Sequence, residues 1–241
     1  MRALSNHEVH VHLADPAYFQ ADDGCRARAL AILSTDELER FARYRLERDR
    51  AIYLATHWLV RTVLSDYEPT APEAWRFATG KYGRPEITGI STLRFNLSNT
   101  HGLVACAVCR RVDVGVDVER KTGFAPLDAA DRFFAPTEVA SLRGLPVTER
   151  SRRFFDYWTL KESYIKARGL GLALPLDQFA FVLENGRSPR IEFDPRLDDH
   201  GDHWQFEQHV PTNDHLLAVC VRRHDSRGFA FTYDWHRPSW V

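Results

Sequence analysis

The chain has 241 residues, of which 44% are hydrophobic, 12% aromatic and 27% charged, enough apolar material for one large domain or two small ones and too much for a disordered segment. Lys and Arg number 32 against 33 Asp and Glu, a formal net charge of −1, so no global field points to nucleic acid or to a membrane surface. The opening "MRALSNHEVHVHLADP" has no apolar signal-peptide core, "LLAVCV" at 216–221 is far too short to span a bilayer, and four cysteines make no disulfide framework; the expectation is a cytoplasmic protein with reduced thiols.

"EVHVHLA" reads as a first strand. His10 and His12 share one face of it, a spacing that can bind metal, with no third ligand evident. The stretch 34–64 reads as helical: Ser34 and Glu37 make a capping box, and Ile52, Ala55, Leu59 and Val63 recur at helical spacing. "WRFAT" at 75–79 is a strand, followed by the turn-rich loop "GKYGRP" at 80–85. "LRFNLSNTHGLVACAVCR" at 93–110 reads as two strands around a polar turn, "SNTHG". Cys106 and Cys109, three apart on a strand, point to opposite faces and cannot easily chelate or bridge.

"RVDVGVDVER" is a further strand. Thr137 and Thr148 are candidate N-caps, and "TERSRRFFDYWTLKESYIKARG" at 148–169 is the clearest helix, closed by Gly169. Strand-like runs follow at "QFAFVL", "WQFEQHV", "LLAVCV" and "FAFTYDW", while His200 and His203 fall in a solvated loop. Strand, helix, then several strands, twice over, predicts an α+β fold. It would have two similar lobes, 1–110 and 111–241, each a small, mainly antiparallel sheet packed on a long helix, with the active site in the cleft between them.

In 112–119, Val112, Val114, Val116 and Val118 form one strand face and Asp113, Gly115, Asp117 and Glu119 the other. The valine face is buried; Gly115 on the acid face suggests close approach of a ligand. Taken alone, the acids fit a solvated face better than a metal site. Glu162 shifts that balance, because it lies on the apolar face of its helix with Phe155, Trp158 and Ile165, with Lys166 one turn later. An acid on a packed face needs a partner, either Lys166 as a helical ion pair or a cation shared with the strand acids. Three carboxylates without Cys or His suit a hard cation such as Mg²⁺.

"VGVDVER", "FFAPTE" and "WTLKESYIKARGLGLALPL", with "GKYGRP" and "FNLSNTHG" upstream, resemble the 4′-phosphopantetheinyl transferase superfamily in its long, pseudo-dimeric Sfp type. Its two signatures, a Gly-[Ile/Val]-Asp-[Ile/Val]-Glu strand and a Trp-x-x-Lys-Glu-[Ala/Ser]-x-x-Lys helix, match Gly115–Glu119 and Trp158–Lys166, and the likeness runs from about 36 to 184. The resemblance implies transfer of phosphopantetheine from coenzyme A to a serine of an apo acyl or peptidyl carrier protein, releasing 3′,5′-ADP. By that similarity Asp117, Glu119 and Glu162 hold Mg²⁺, with Mn²⁺ as a substitute. Glu162 serves as base, directly or through a metal-bound water, and Lys166 meets the pyrophosphate, with Lys161 a less certain contributor. The resemblance also places Arg40 on the 3′-phosphate, Arg84 where the family carries lysine, and Ser98 and Thr100 in a turn lining the coenzyme. Asn99 stands where the family has histidine, with His101 able to compensate.

A monomer is expected, with no nucleic acid or membrane partner, and with the carrier docking on 133–146 through Leu142 or Arg143. Two other readings stay open: another Mg²⁺-dependent phosphodiester-cleaving enzyme, or an inactive coenzyme A or carrier-binding module. The absence of HExxH, GxSxG and Walker motifs excludes zinc proteases, α/β hydrolases and P-loop NTPases.

Overall fold

Val9, Val11 and Leu13 form one buried face of β1 (Glu8–Ala14), and His10, His12 and Ala14 are buried on the other. The computed structural model describes residues 1–122 and 125–238; positions 123–124 and 239–241 of the expected second lobe lie outside the described residues. Two short helices, α1 (Tyr18–Ala21) and α2 (Asp23–Ala31), lead to α3 (Thr35–Arg43) and α4 (Glu47–Tyr67). The helix expected over 34–64 is therefore two helices. Tyr44 and Leu46 adopt extended backbone, and the reversal brings Glu37 of α3 back onto α4, where it accepts from Arg61 Nε at 3.0 Å and meets His57 Nδ1 at 2.9 Å. The capping box is present, with Glu37 Oε2 accepting from the Ser34 N–H at 2.8 Å.

A short ribbon, β2 (Phe77–Thr79) and β3 (Pro85–Ile87), precedes β4 (Leu93–Thr100), β5 (Leu103–Arg110) and β6 (Val114–Arg120). β4 continues through Ser98–Thr100, so the expected five-residue turn shrinks to His101 and Gly102, the latter at φ +85°. Then come α5 (Leu127–Phe133), α6 (Pro136–Gly144) and α7 (Val147–Arg168). Ala135 and Pro146, not Thr137 and Thr148, precede the last two helices; Pro136 opens α6 where a missing N–H costs nothing. Gly169 ends α7 at φ +63°, as its sequence position predicts. A second ribbon, β7 (Phe179–Val182) and β8 (Arg190–Phe193), is followed by β9 (Trp204–Thr212), β10 (His215–Arg222) and β11 (Ala230–His236).

Two sheets result, in the orders β11-β1-β5-β4 and β6-β10-β9, with all pairs antiparallel except β1–β11. The α+β expectation of two sheet-and-helix lobes holds. One detail departs from a division at 110: β11, from the second half, runs parallel to β1 and completes the first sheet. The layers follow from the three apolar clusters. α4 buries Leu54, Trp58, Leu59 and Val63 against Val104, Cys106 and Val108 of the first sheet. α7 buries Phe154, Leu160 and Tyr164 against Phe206, Ala218 and Cys220 of the second. Between the sheets lie Val9, Val11, Ala105, Ala107, Val114, Val116, Val118 and Val219. Cys106 and Cys109 fall into different clusters, as their spacing requires, and burial alone pushes the Cys106 thiol far up.

Candidate active site

The valines of β6 point into the layer between the sheets, which turns its alternate residues outward toward α7. A Cβ added to Gly115 would lie 2.0 Å from the Ser163 carbonyl oxygen and 2.5 Å from the Ala167 nitrogen. The glycine therefore serves helix approach rather than the ligand approach expected from sequence: α7 lies directly on β6, and Glu162 and Lys166 come beside Asp117. Two side chains of β4 grip the β6 backbone from the other side. Asn96 Oδ1 accepts from the Val116 N–H at 3.0 Å, and Ser98 Oγ from the Val118 N–H at 3.1 Å.

Around this junction charge is unbalanced. Lys166 Nζ donates to Asp117 Oδ1 at 2.6 Å and to Ser98 Oγ at 2.8 Å, and the Ser98 hydroxyl donates to the same Asp117 oxygen at 3.0 Å. Asp117 Oδ2 is buried and has no partner among the described residues. Glu119 Oε1 accepts from Trp158 Nε1–H at 3.2 Å. Burial, reinforced by the Asp117 charge, pushes the Glu119 carboxyl up to about 7 and raises that of Glu162 as well. Three acids thus face one ammonium. They do not close on a common point, because Lys166 stands against Asp117 and Trp158 against Glu119. An all-oxygen donor set with one orphaned, buried carboxylate oxygen and two carboxyls strained toward protonation suits a hard divalent cation.

Glu162 and Lys166 also line a cavity of about 230 Å³ with Tyr82, Arg84 and Asn96. It shares Gly83, Pro85 and Leu97 with a larger one of about 820 Å³, lined by Arg40 of α3, His57 of α4, Asn99 of β4 and Arg76, the residue before β2. Together they make a trough of cofactor size that reaches Glu162 and Lys166. His57 and Arg76 were not singled out from sequence. The available signal was the Glu37, His57, Arg61 set, in which two residues one helical turn apart answer one capping glutamate. Despite burial, the hydrogen bond from His57 and the Arg61 charge hold Glu37 down at about 2.

Other expected residues fall differently. Lys161 is fully buried, 2.7 Å from Glu138, and donates to the carbonyls of Leu176 and Phe179, so it holds the second lobe together and touches no cavity of the site. Arg84 lines the small cavity but spends its guanidinium on the Ala167 carbonyl at 2.8 Å and on Asp113. Ser98 lies in a strand within the acid set rather than in a turn. Thr100 ends that strand, and His101 is exposed in the turn, where its carbonyl accepts from His215 Nε2–H at 2.8 Å. Neither lines the large cavity, whereas Asn99 does. Leu142 is buried in the second-lobe core and offers no docking surface; Arg143 beside it is exposed and pairs with Asp131 at 2.6 Å. His10 and His12 both meet the Tyr67 hydroxyl, at 2.7 and 2.8 Å, and His12 Nδ1 lies 2.6 Å from a third ring, His236 of β11. Burial drives His12 down to about 2, and this cluster is a neutral tie between β1, α4 and β11.

Comparison with known proteins gives the same direction. A 4′-phosphopantetheinyl transferase superfamily domain is matched over residues 113–220. The 4′-phosphopantetheinyl transferase Sfp of Bacillus subtilis is 31% identical over 198 residues, covering 82% of this chain and 86% of its own. HetI, a 4′-phosphopantetheinyl transferase of a Nostoc species, is 32% identical over 195 residues, 79% of each. Among solved structures, a holo-(acyl-carrier-protein) synthase from Bacillus anthracis aligns with 46% of this chain and 96% of its own, at 14% identity and a TM-score of 0.38. The likeness to these curated relatives covers about four fifths of the chain, and the chain belongs to the 4′-phosphopantetheinyl transferase superfamily as an enzyme of its Sfp type.

Proposed function

We propose that the chain moves the 4′-phosphopantetheine group of coenzyme A onto a serine hydroxyl of an apo acyl or peptidyl carrier protein, with Mg²⁺ as cofactor and 3′,5′-ADP as the leaving product. The observation that carries this reading is the orphaned Asp117 carboxylate oxygen, set beside Glu119, Glu162 and Lys166 at the end of a trough of cofactor size. The nucleotide would lie in the larger cavity, near Arg40 and Asn99, and its pyrophosphate would reach the smaller one. The first lobe then serves chiefly the coenzyme, and the second carries the acids and meets the carrier on the exposed side of 133–146. Two lobes in one chain supply both halves of the cleft, which favours a monomer. No helix among the described residues is long and apolar enough to cross a membrane, and a cytoplasmic location is part of the same reading.

In the reaction the serine oxygen forms a bond to the pantetheine-side phosphorus, the bond from that phosphorus to the bridging oxygen breaks, and the bridging oxygen leaves on 3′,5′-ADP. Asp117, Glu119 and Glu162 would hold Mg²⁺, which when bound supplies charge neutralisation at the pyrophosphate. The serine proton goes to Glu162, which lines the smaller cavity beside Lys166. Lys166, a half-buried ammonium already fixed by Asp117 and Ser98, orients the pyrophosphate as a point charge. Packing of α7 on Gly115 keeps base and phosphate in register.

Incubation with coenzyme A, Mg²⁺ and a panel of apo-carriers, followed by mass spectrometry, tests the proposal. The expected result is a carrier heavier by one phosphopantetheine. No gain on any carrier, with coenzyme A binding intact, would leave a silent binding module; cleavage of phosphodiesters without carrier modification would leave the alternative enzyme.

A further inference from the structure

The chain crosses from the second sheet back to the first between β10 and β11. At that crossing His224 and Asp225 come against His7, the residue just before β1. His7 Nε2 lies 3.6 Å and His224 Nε2 3.4 Å from the same oxygen, Asp225 Oδ2. One ligand atom from each of the three residues lies within 4.8 Å of the other two. These separations exceed hydrogen-bond lengths of about 2.7–3.2 Å. The two nitrogen–oxygen separations are close to the edge, about 3.3–3.4 Å, of a tetrahedron whose centre lies about 2.0–2.1 Å from each ligand.

The surroundings hold that arrangement. Asp225 Oδ1 accepts from the Arg227 N–H at 2.8 Å, which leaves Oδ2 turned to the two rings. Buried Phe229 packs against both imidazoles, with ring centroids 5.7 and 5.8 Å away, and the imidazoles themselves are 4.7 Å apart. The His7 carbonyl accepts from the Ala230 N–H at 2.9 Å, so the two segments are fixed to one another by backbone as well. Two imidazoles and a carboxylate select a borderline transition cation and not Mg²⁺. None of the three residues lines the cavities of the acid site.

We propose that His7, His224 and Asp225 form a Zn²⁺-type site, with solvent completing the coordination, that clips the start of β1 to the crossing from β10 to β11. The site joins segments from the two ends of the chain where the last strand docks on the first sheet. Its role is to stabilise that docking, independent of phosphoryl transfer.

The test uses the full chain, stripped of metal and held in millimolar Mg²⁺ so that the acid set is not the acceptor, titrated with Zn²⁺ by calorimetry. One equivalent is expected, with the thermal midpoint rising by about 5 °C when Zn²⁺ exceeds its Kd a hundredfold. His224→Ala and Asp225→Asn, both at exposed positions, should each weaken Zn²⁺ binding at least tenfold and remove the tetrahedral visible bands of the Co²⁺-loaded protein. Transferase activity in Mg²⁺ should be unchanged in His224→Ala. The proposal is overturned if both variants bind Zn²⁺ like the parent. It is equally overturned if Asp117→Asn abolishes binding while His224→Ala does not, or if no saturable equivalent appears.

Discussion

Lys161 and Lys166 sit on one helix and each meets a carboxylate, at 2.7 and 2.6 Å. Around Lys161 everything is matched. Its ammonium has Glu138 and two carbonyls, and Glu138 accepts in addition from the N–H groups of Ala135 and Phe181. Around Lys166 nothing balances: three acids face it, and one Asp117 oxygen is left over. Burial of a matched pair is structural. A surplus of buried negative charge is relieved by protonation or by an external cation or ligand, so such an imbalance points to a binding site.

Substitutions on the two sides of this contrast should separate it. Glu162→Gln should lower kcat by about 10²–10⁴-fold while the thermal midpoint holds or rises, since one of three repelling acids is neutralised; full-rate transfer would remove Glu162 as base. Lys161→Met leaves Glu138 buried without its cation and should cost about 3–5 kcal/mol in urea denaturation, with the coenzyme A KM of the folded enzyme unchanged. A raised KM at undiminished stability would return Lys161 to the site. Gly115→Ala pushes α7 off β6 and should cost about 1–3 kcal/mol, together with weaker Mg²⁺ binding by titration calorimetry; a wild-type melting point would show that the helix does not depend on the glycine.

The smallest effect is in pH. Glu119 titrates near 7 in the folded chain against an ordinary 4.5, so between those values the unfolded chain has already released a proton that the folded chain retains. Stability of the metal-free protein should therefore fall by a few degrees in thermal midpoint as pH rises from about 4.5 to 7, and stay level above. Millimolar Mg²⁺ should flatten this slope and bind more tightly as pH rises through 7. A pH-independent midpoint without metal would mean that Glu119 is not strained.

Much of the site was legible because its strand and helix carry their own periodicity. Val114, Val116 and Val118 set the register of β6, which put Asp117 and Glu119 on one face, and Glu162 betrayed itself as an acid on an apolar stripe. What was illegible depended on partners distant in sequence. Lys161 lies in the same motif as Glu162, but only the placement of Glu138 on α6 turns it inward. Ser98 and Asn96 looked like turn and strand residues, and their grip on β6 exists only once β4 lies beside it. The break at Tyr44–Leu46 has no glycine or proline to announce it; it accompanies the contact of Glu37 with His57 and Arg61 across the two helices.

By itself the sequence determined which residues could share a face, because side-chain direction follows from the local period of strand or helix. It also determined the family, since two motifs of chemically demanding residues recur at the right separation. Tertiary structure alone decided what each face meets: that Gly115 admits a helix, that Lys161 is sealed and Lys166 is not, and that β11 returns to the first sheet. Contacts between distant segments depend on how complete layers pack, and no local pattern encodes that.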